Sequence, residues 1–216
     1  MMRDGGPDIG SILMVCTANI CRSPLAAMHL QETLTSGPLE GAAIASAGVR
    51  GLTGAPMCDV ARGGLDDASH ADAHRARELD GALIVAADLV ITMEREQRGA
   101  VARLAPGQQG KVFTIREAAA MVEAVAEAGP LPGTVAELAE RMRALRGIVR
   151  PPVPAPVQRR GLGRLLARKP SEAADDGLSV EDGHNIDAAA HAATVEDVRR
   201  LSGRIGTLLA GQAATR

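Results

Sequence analysis

Aromatic side chains are almost missing from these 216 residues: there is one Phe, Phe113, and neither Trp nor Tyr. That excludes a core built on packed rings, and equally a nucleic-acid surface built on base stacking. No run of eighteen apolar residues occurs, and MMRDGGPDIG at the N-terminus has no apolar stretch of signal-peptide length. Neither a stable membrane insertion nor a secretory leader is therefore expected. An excess of one charge is lacking too. The 24 Lys and Arg against 26 Asp and Glu leave −2, too little to draw the whole surface to nucleic acid or membrane. Cysteine is scarce: Cys16, Cys21 and Cys58 are too few and too uneven for a disulfide framework. The five His are scattered along the chain, so no metal site is expected. The reading is of a soluble cytoplasmic protein without metal or other cofactor.

What is present suits a single domain spanning residues 1–216. Hydrophobic residues make up 46%, but 40 of them are Ala, so the core is assembled from small and aliphatic side chains. Ile12–Val15 is a short apolar run bounded by Gly10 and a polar loop, as a buried parallel strand requires. Pro24 then opens a helical stretch in which Ala27, Leu30 and Leu34 share one face. Further strands are expected at AAIASAG, at 87–92 and at 111–115, with helical patterns around 56–63, 70–79 and 94–104. The last helix is expected to be capped by Thr194 and to bury Val198, Leu201, Ile205 and Leu208. Strands alternating with helices predict an α/β fold: a parallel sheet flanked by helices on both faces.

Residues 119–184 depart from this rhythm and read as a helical, Pro-rich basic insertion. Val135, Leu138, Met142 and Leu145 share a helical face, and VRPPVPAPVQ follows as polyproline material. Between 141 and 170 lie nine of the 24 cationic side chains and no acid. Such asymmetry describes either a solvated linker or a basic arm that steers an acidic substrate.

One stretch carries chemistry: Cys16-Thr17-Ala18-Asn19-Ile20-Cys21-Arg22-Ser23-Pro24, directly after the first strand and leading into a helix. A loop in that position turns successive backbone N–H groups into one concavity, and the helix dipole adds positive potential. Arg22 supplies a planar fork suited to two phosphate oxygens. A tetrahedral dianion bound there would sit above the Cys16 sulfur, in a field that favours thiolate. The pattern predicts phosphoryl transfer through a covalent phosphocysteine; a buried structural Cys would leave Arg22 and the helix start unexplained.

VCTANICRSP resembles the active-site signature of the low-molecular-weight protein tyrosine phosphatases. SAGVRGLTG (46–54), HRAREL (74–79) and ADLVITMERE (87–96) are similar to further segments of that family, in order. The likeness covers residues 11 to about 118 and resumes at the final helix. It implies a four-stranded parallel sheet, a phosphate-binding loop after the first strand, and metal-independent hydrolysis of phosphotyrosine in proteins. It makes Cys16 the nucleophile and Arg22 the phosphate clamp, with Thr17 to Ser23 binding substrate. Ser23 is similar to the family's thiolate-bonding Ser, Asn19 to its loop-shaping Asn, and Ser46 and His74 to supporting partners. Cys21 occupies the place of a second Cys found in many relatives, where it would form a protective disulfide with Cys16 or simply pack behind the loop; Cys58 reads as structural. Leu52 stands where some members carry an aromatic. That resembles bacterial enzymes of polysaccharide export and implies an autophosphorylating bacterial tyrosine kinase as partner.

The family's general acid lies in an Asp-Pro pair before the last helix, and this chain has no Asp-Pro. GHNIDAAAHAATVEDV aligns Asp187 with that acid, with Asp182, Asp176 and Asp175 as competitors. Two other readings stay open. One is a catalytically weak phosphoprotein-binding module. The other is arsenate reductase, which would need further Cys late in the chain, where there are none.

Overall fold

The computed structural model describes residues 8–152 and 177–212. The Pro-rich run beyond residue 152 and the cations Arg159, Arg160, Arg164, Arg168 and Lys169, expected to form the basic arm, lie outside the described residues. So do Asp175 and Asp176.

Four parallel strands form the centre: β1 (Ser11–Cys16), β2 (Ala43–Gly48), β3 (Leu89–Thr92) and β4 (Val112–Thr114), in the order β2-β1-β3-β4. Side chains alternate between the faces of a strand, and in β1 both faces are covered. Ile12 and Met14 join one apolar cluster, and Leu13 and Val15 another. This explains why the run reads as continuously hydrophobic.

The larger cluster packs beneath α1 (Arg22–Thr33), α6 (Ile115–Ala128), α7 (Val135–Ala144) and α8 (Ala188–Leu209). The smaller lies under α4 (Gly81–Ala86) and α5 (Arg95–Leu104). Short helices α2 (Asp59–Arg62) and α3 (Ser69–Asp72) complete the set between β2 and α4. The expected α/β architecture is the one observed. Phe113 lies fully buried in β4.

Three local expectations change. The helix expected at 70–79 stops at Asp72, because the backbone beyond it bonds elsewhere: Ala76 N–H to Ala55 O, Gly54 N–H to Ala76 O, and Leu79 N–H to Gly48 O. The last helix begins at Ala188, not beside Thr194. Asp187 is its N-cap, accepting Ala190 N–H at 2.8 Å, and Thr194 lies one and a half turns inside. There its hydroxyl accepts Gly183 N–H and donates to Glu181 O, both at 3.1 Å. Finally, α6 and α7 belong to the core: Met121, Val122, Val125, Val135, Leu138 and Met142 are all buried in the larger cluster. The segment expected as an insertion thus begins with helices that support the sheet.

Strand order changes direction at β1, with β2 on one side and β3 on the other. In open α/β sheets the crevice beyond the strand C-termini at such a point is where ligands bind. The loop after β1 and the turn after β3 both open there.

Candidate active site

Residues 16–21 wrap the end of β1 with their carbonyls turned outward. Val49, Arg50, Leu52 and Cys58 donate backbone N–H groups to the carbonyls of Cys16, Thr17, Ala18 and Ile20, at 2.8–3.0 Å. His74 Nε2–H donates to Asn19 O at 2.8 Å. Because each peptide's N–H points opposite to its C=O, five outward carbonyls in succession leave five N–H groups facing the concave side. That is the anion cradle expected from the sequence, and here its cause is visible. The loop also needs Gly48 behind it: a Cβ there would meet Thr17 O at 2.6 Å and Asn19 N at 2.9 Å.

Asn19 is the described non-glycine residue with a positive φ, +60°, a conformation that Asn tolerates better than most. Its side chain holds the turn from three sides. Nδ2 donates to Ser23 Oγ (3.0 Å) and Ser46 Oγ (2.9 Å), while Oδ1 accepts Arg77 N–H at 2.9 Å. Its own N–H points to Cys16 Sγ at 3.3 Å, and Ser23 Oγ donates to the same sulfur at 3.0 Å. Two donors thus converge on a buried sulfur. Ser46 thus contacts Asn19 through its side chain, and His74 contacts it through the backbone carbonyl.

Arg22 opens α1, and its side chain is almost wholly buried. One terminal nitrogen donates to Glu94 Oε1 (2.6 Å) and Val180 O (3.0 Å); the other reaches Asp182 Oδ2 (2.8 Å) and Thr17 Oγ1 (3.3 Å). Burial works against its charge, but Glu94, Cys16 and Asp182 outweigh it and hold the guanidinium above its ordinary value. The fork is fixed in plane before any phosphate arrives.

Glu94 and Gln97 were not foreseen. Glu94 accepts from Arg22 and from Gln97 Nε2 (2.7 Å), and Gln97 also reaches Thr17 Oγ1 at 3.2 Å. The signal for Glu94 was present in ADLVITMERE, an acid two residues past a buried strand at the end that faces the crevice; Gln97 lies just beyond that segment.

The late loop, residues 177–187, is laid against the end of β3. Val180 N–H donates to Met93 O at 2.8 Å and Arg116 Nε to Ser179 O at 3.1 Å. This brings Asp182 to Arg22. Asp187, the residue that the alignment favoured, turns its carboxylate to its own helix as a cap, and its contacts are with α8 rather than with the cradle. The two carboxylates are thus engaged differently: an N-cap uses its side chain for the first turn's N–H groups, while Asp182 pairs with Arg22.

Cys21 does not turn to Cys16. All three Cys are free, and Cys21 Sγ lies 3.3 Å from His191 Nε2, with Cys58 Sγ 3.6 Å from the same atom and His184 Nδ1 at 3.3 Å. Cys58 is pulled down to about 5, chiefly by a hydrogen bond from Cys21; the same bond and burial push Cys21 up. The scattered Cys and His of the sequence, from which no metal cluster was expected, therefore do meet in space. Residues 21, 58, 184 and 191 come together only because four separate segments converge behind the cradle.

A family model described as low molecular weight phosphotyrosine protein phosphatase matches residues 11–143. The Ralstonia nicotianae protein named "Probable low molecular weight protein-tyrosine-phosphatase EpsP" is 35% identical over 114 residues, covering 50% of this chain and 72% of that protein. In fold, the chain is similar to the crystal structure of the Erwinia amylovora tyrosine phosphatase AmsI, with TM-score 0.56 at 18% identity, covering 94% of this chain and 95% of that one. The YwlE arginine phosphatase from Geobacillus stearothermophilus gives TM-score 0.54 at 19% identity, covering 91% and 90%.

Proposed function

The chain belongs to the low molecular weight phosphotyrosine protein phosphatase family, and from that premise we propose that it hydrolyses phosphotyrosine in proteins, with Cys16 as nucleophile and Asp182 as general acid. The observation that carries the reading is the pairing of Asp182 Oδ2 with Arg22 at 2.8 Å, beside a sulfur already held by Ser23. A phosphate gripped by Arg22 and the loop N–H groups then has the thiolate on one side and a carboxyl group within reach of its ester oxygen.

The Cys16 sulfur attacks phosphorus and the bond to the tyrosyl oxygen breaks. Asp182 gives its proton to that oxygen, so tyrosine leaves neutral. The developing charge on the equatorial oxygens is met by the N–H groups and by Arg22. Asp182, now a carboxylate, takes a proton from water as water attacks the phosphocysteine; the S–P bond breaks and inorganic phosphate leaves. Ser23 Oγ–H stabilises the departing thiolate in this second step. Thr17, Ala18, Ile20 and Cys21 contribute through backbone N–H groups. Ser46 and His74 act by holding Asn19.

An aliphatic side chain stands beside the cradle. Leu52 is 53% exposed, and its N–H is tied to Ala18 O. That side chain supports an autophosphorylated bacterial tyrosine kinase as the physiological partner. The free thiol at Cys16 fits a reducing compartment, the cytoplasm; among the described residues no helix is long and apolar enough to cross a membrane.

Single-turnover assays with a phosphotyrosine peptide and a phosphoarginine peptide test the assignment. A phosphocysteine should be trapped at Cys16 from the first and not the second, and Asp182→Asn should slow its formation. Faster turnover of phosphoarginine would overturn the substrate class, and unaltered kinetics in Asp182→Asn would overturn the acid.

A further inference from the structure

Behind the cradle, Cys21, Cys58, His184 and His191 offer two sulfurs and two ring nitrogens within 4.8 Å of one another. We infer that these four residues bind one zinc ion, which staples the late loop to the phosphate-binding loop. The inference rests on this geometry and is independent of which phosphoester the enzyme hydrolyses.

The three separations from His191 are those of a tetrahedral site. Zinc bonds of about 2.3 Å to sulfur and about 2.0–2.1 Å to nitrogen place neighbouring ligand atoms about 3.3–3.8 Å apart. The separations from His191 Nε2 are 3.3 Å to Cys21 Sγ, 3.6 Å to Cys58 Sγ and 3.3 Å to His184 Nδ1. The two rings stand at 78° to each other, so each can aim its nitrogen at a common centre without stacking. A Cys₂His₂ donor set selects zinc over magnesium or calcium, which prefer oxygen. Four protein ligands close the coordination sphere, the pattern of a structural rather than a catalytic zinc.

Charge agrees. Binding displaces any remaining thiol proton to solvent, and two thiolates then neutralise the ion, so the completed centre carries no net charge beside Arg22. Cys21 and His191 are buried, and Cys58 and His184 are partly open, which leaves an entry path for the metal.

Position gives the site its use. Cys21 adjoins Arg22, and His184 is two residues from Asp182. Cys58 is the N-cap residue of α2, and His191 lies in the first turns of α8. A zinc ion here would fix the segment bearing Asp182 against the loop bearing Cys16, in a chain whose late loop has no aromatic side chain to pack there.

The test is metal content and cobalt spectroscopy on the full chain, with circular dichroism to confirm folding of each variant. Purified protein should retain one zinc per chain. Exchange for cobalt should give the visible bands of tetrahedral Co²⁺ and a sulfur-to-cobalt charge-transfer band. Cys58→Ser and His184→Asn, the two more open ligands, should each weaken zinc binding about 100-fold or more, beyond the loss that an outer-sphere partner causes. Cys16→Ser should retain both metal and spectrum. Chelation should lower Tm in wild type and leave Cys58→Ser unmoved. A cobalt spectrum without sulfur charge transfer, or one lost in Cys16→Ser and kept in Cys58→Ser, would overturn the site. So would a Cys21–Cys58 disulfide in protein purified from a reducing cytosol, because those sulfurs would then be a redox pair.

Discussion

The phosphate-binding loop and the late loop face the same crevice, yet they are built on opposite principles. Residues 16–23 are contiguous, lie between one strand and one helix, and are shaped by outward carbonyls and by Asn19. Residues 177–187 have little structure of their own. They are placed by Met93 at the end of β3, by Arg116 on α6, by Thr194 on α8 and by Arg22 itself. The first loop is contiguous with its own strand and helix and is braced by residues 46–58, 74 and 77; the second is placed almost wholly by distant segments. A nucleophile and its phosphate clamp tolerate little displacement, whereas an acid needs only to reach the leaving oxygen. The more demanding part is therefore built between a strand and a helix that adjoin it in the chain.

The comparison is broken most severely at the sulfur. Cys16→Ser should reduce turnover by about 10⁴-fold or more, as loss of a nucleophile does. Phosphate binding should survive, because the N–H groups and Arg22 remain; calorimetry with inorganic phosphate checks this. Turnover near the wild-type rate would remove Cys16 from the mechanism.

In the late loop, Asp182→Asn should slow phosphotyrosine hydrolysis by about 10²–10⁴-fold, the ordinary worth of a general acid. The loss should shrink for a nitrophenyl ester, whose leaving group needs less help. Asp187→Asn should change kcat little, since Asn also caps helices well. Asp187→Ala should cost about 0.5–2 kcal/mol of stability by denaturant titration. The reverse pattern, with Asp187 crippling and Asp182 silent, would return the acid to the helix cap.

A smaller effect sharpens the contrast within the first loop. Asn19→Ala leaves Ser46 and the Arg77 N–H without their partner and places a Cβ at positive φ, so it should cost roughly 1–3 kcal/mol. Asn19→Gly loses the same bonds but carries no backbone strain at positive φ, and should recover about 1 kcal/mol of that. Equal losses in urea unfolding would show that side-chain bonds alone shape the turn.

The smallest effect lies away from both loops. His29, buried on α1 with Nδ1 3.0 Å from Ser202 Oγ, is held below its ordinary 6.5 by burial and then by Arg199. As pH falls through 6.5 the unfolded chain takes up this proton first, so stability present in full above that pH declines below it. The decline ends once the folded-state value is passed. His29→Asn should flatten that part of the stability profile; an unchanged profile would show that other groups produce it.

The sequence by itself determined the four-stranded sheet and the Cys-containing loop after its first strand, with Cys16 and Arg22 as the proposed nucleophile and clamp. Their signals are contiguous in the chain: an apolar strand, a short loop and an Arg at a helix start, although the donors that brace the loop come from residues 49–58 and 74. Even Ser46 and His74 could be named from motifs that follow in order. Only the tertiary structure decided which carboxylate reaches Arg22, that Glu94 and Gln97 brace it, and that Cys21 turns away from Cys16 towards Cys58 and two His. Asp182 and Asp187 look alike in the sequence, five residues apart before the same helix. One caps that helix because the helix starts at Ala188; the other meets the cradle because Val180 bonds to Met93. Likewise, Cys21, Cys58, His184 and His191 have no spacing that announces a cluster. Their convergence depends on chain segments that fold back from up to 170 residues away, and spacing along the chain carries no trace of such an encounter.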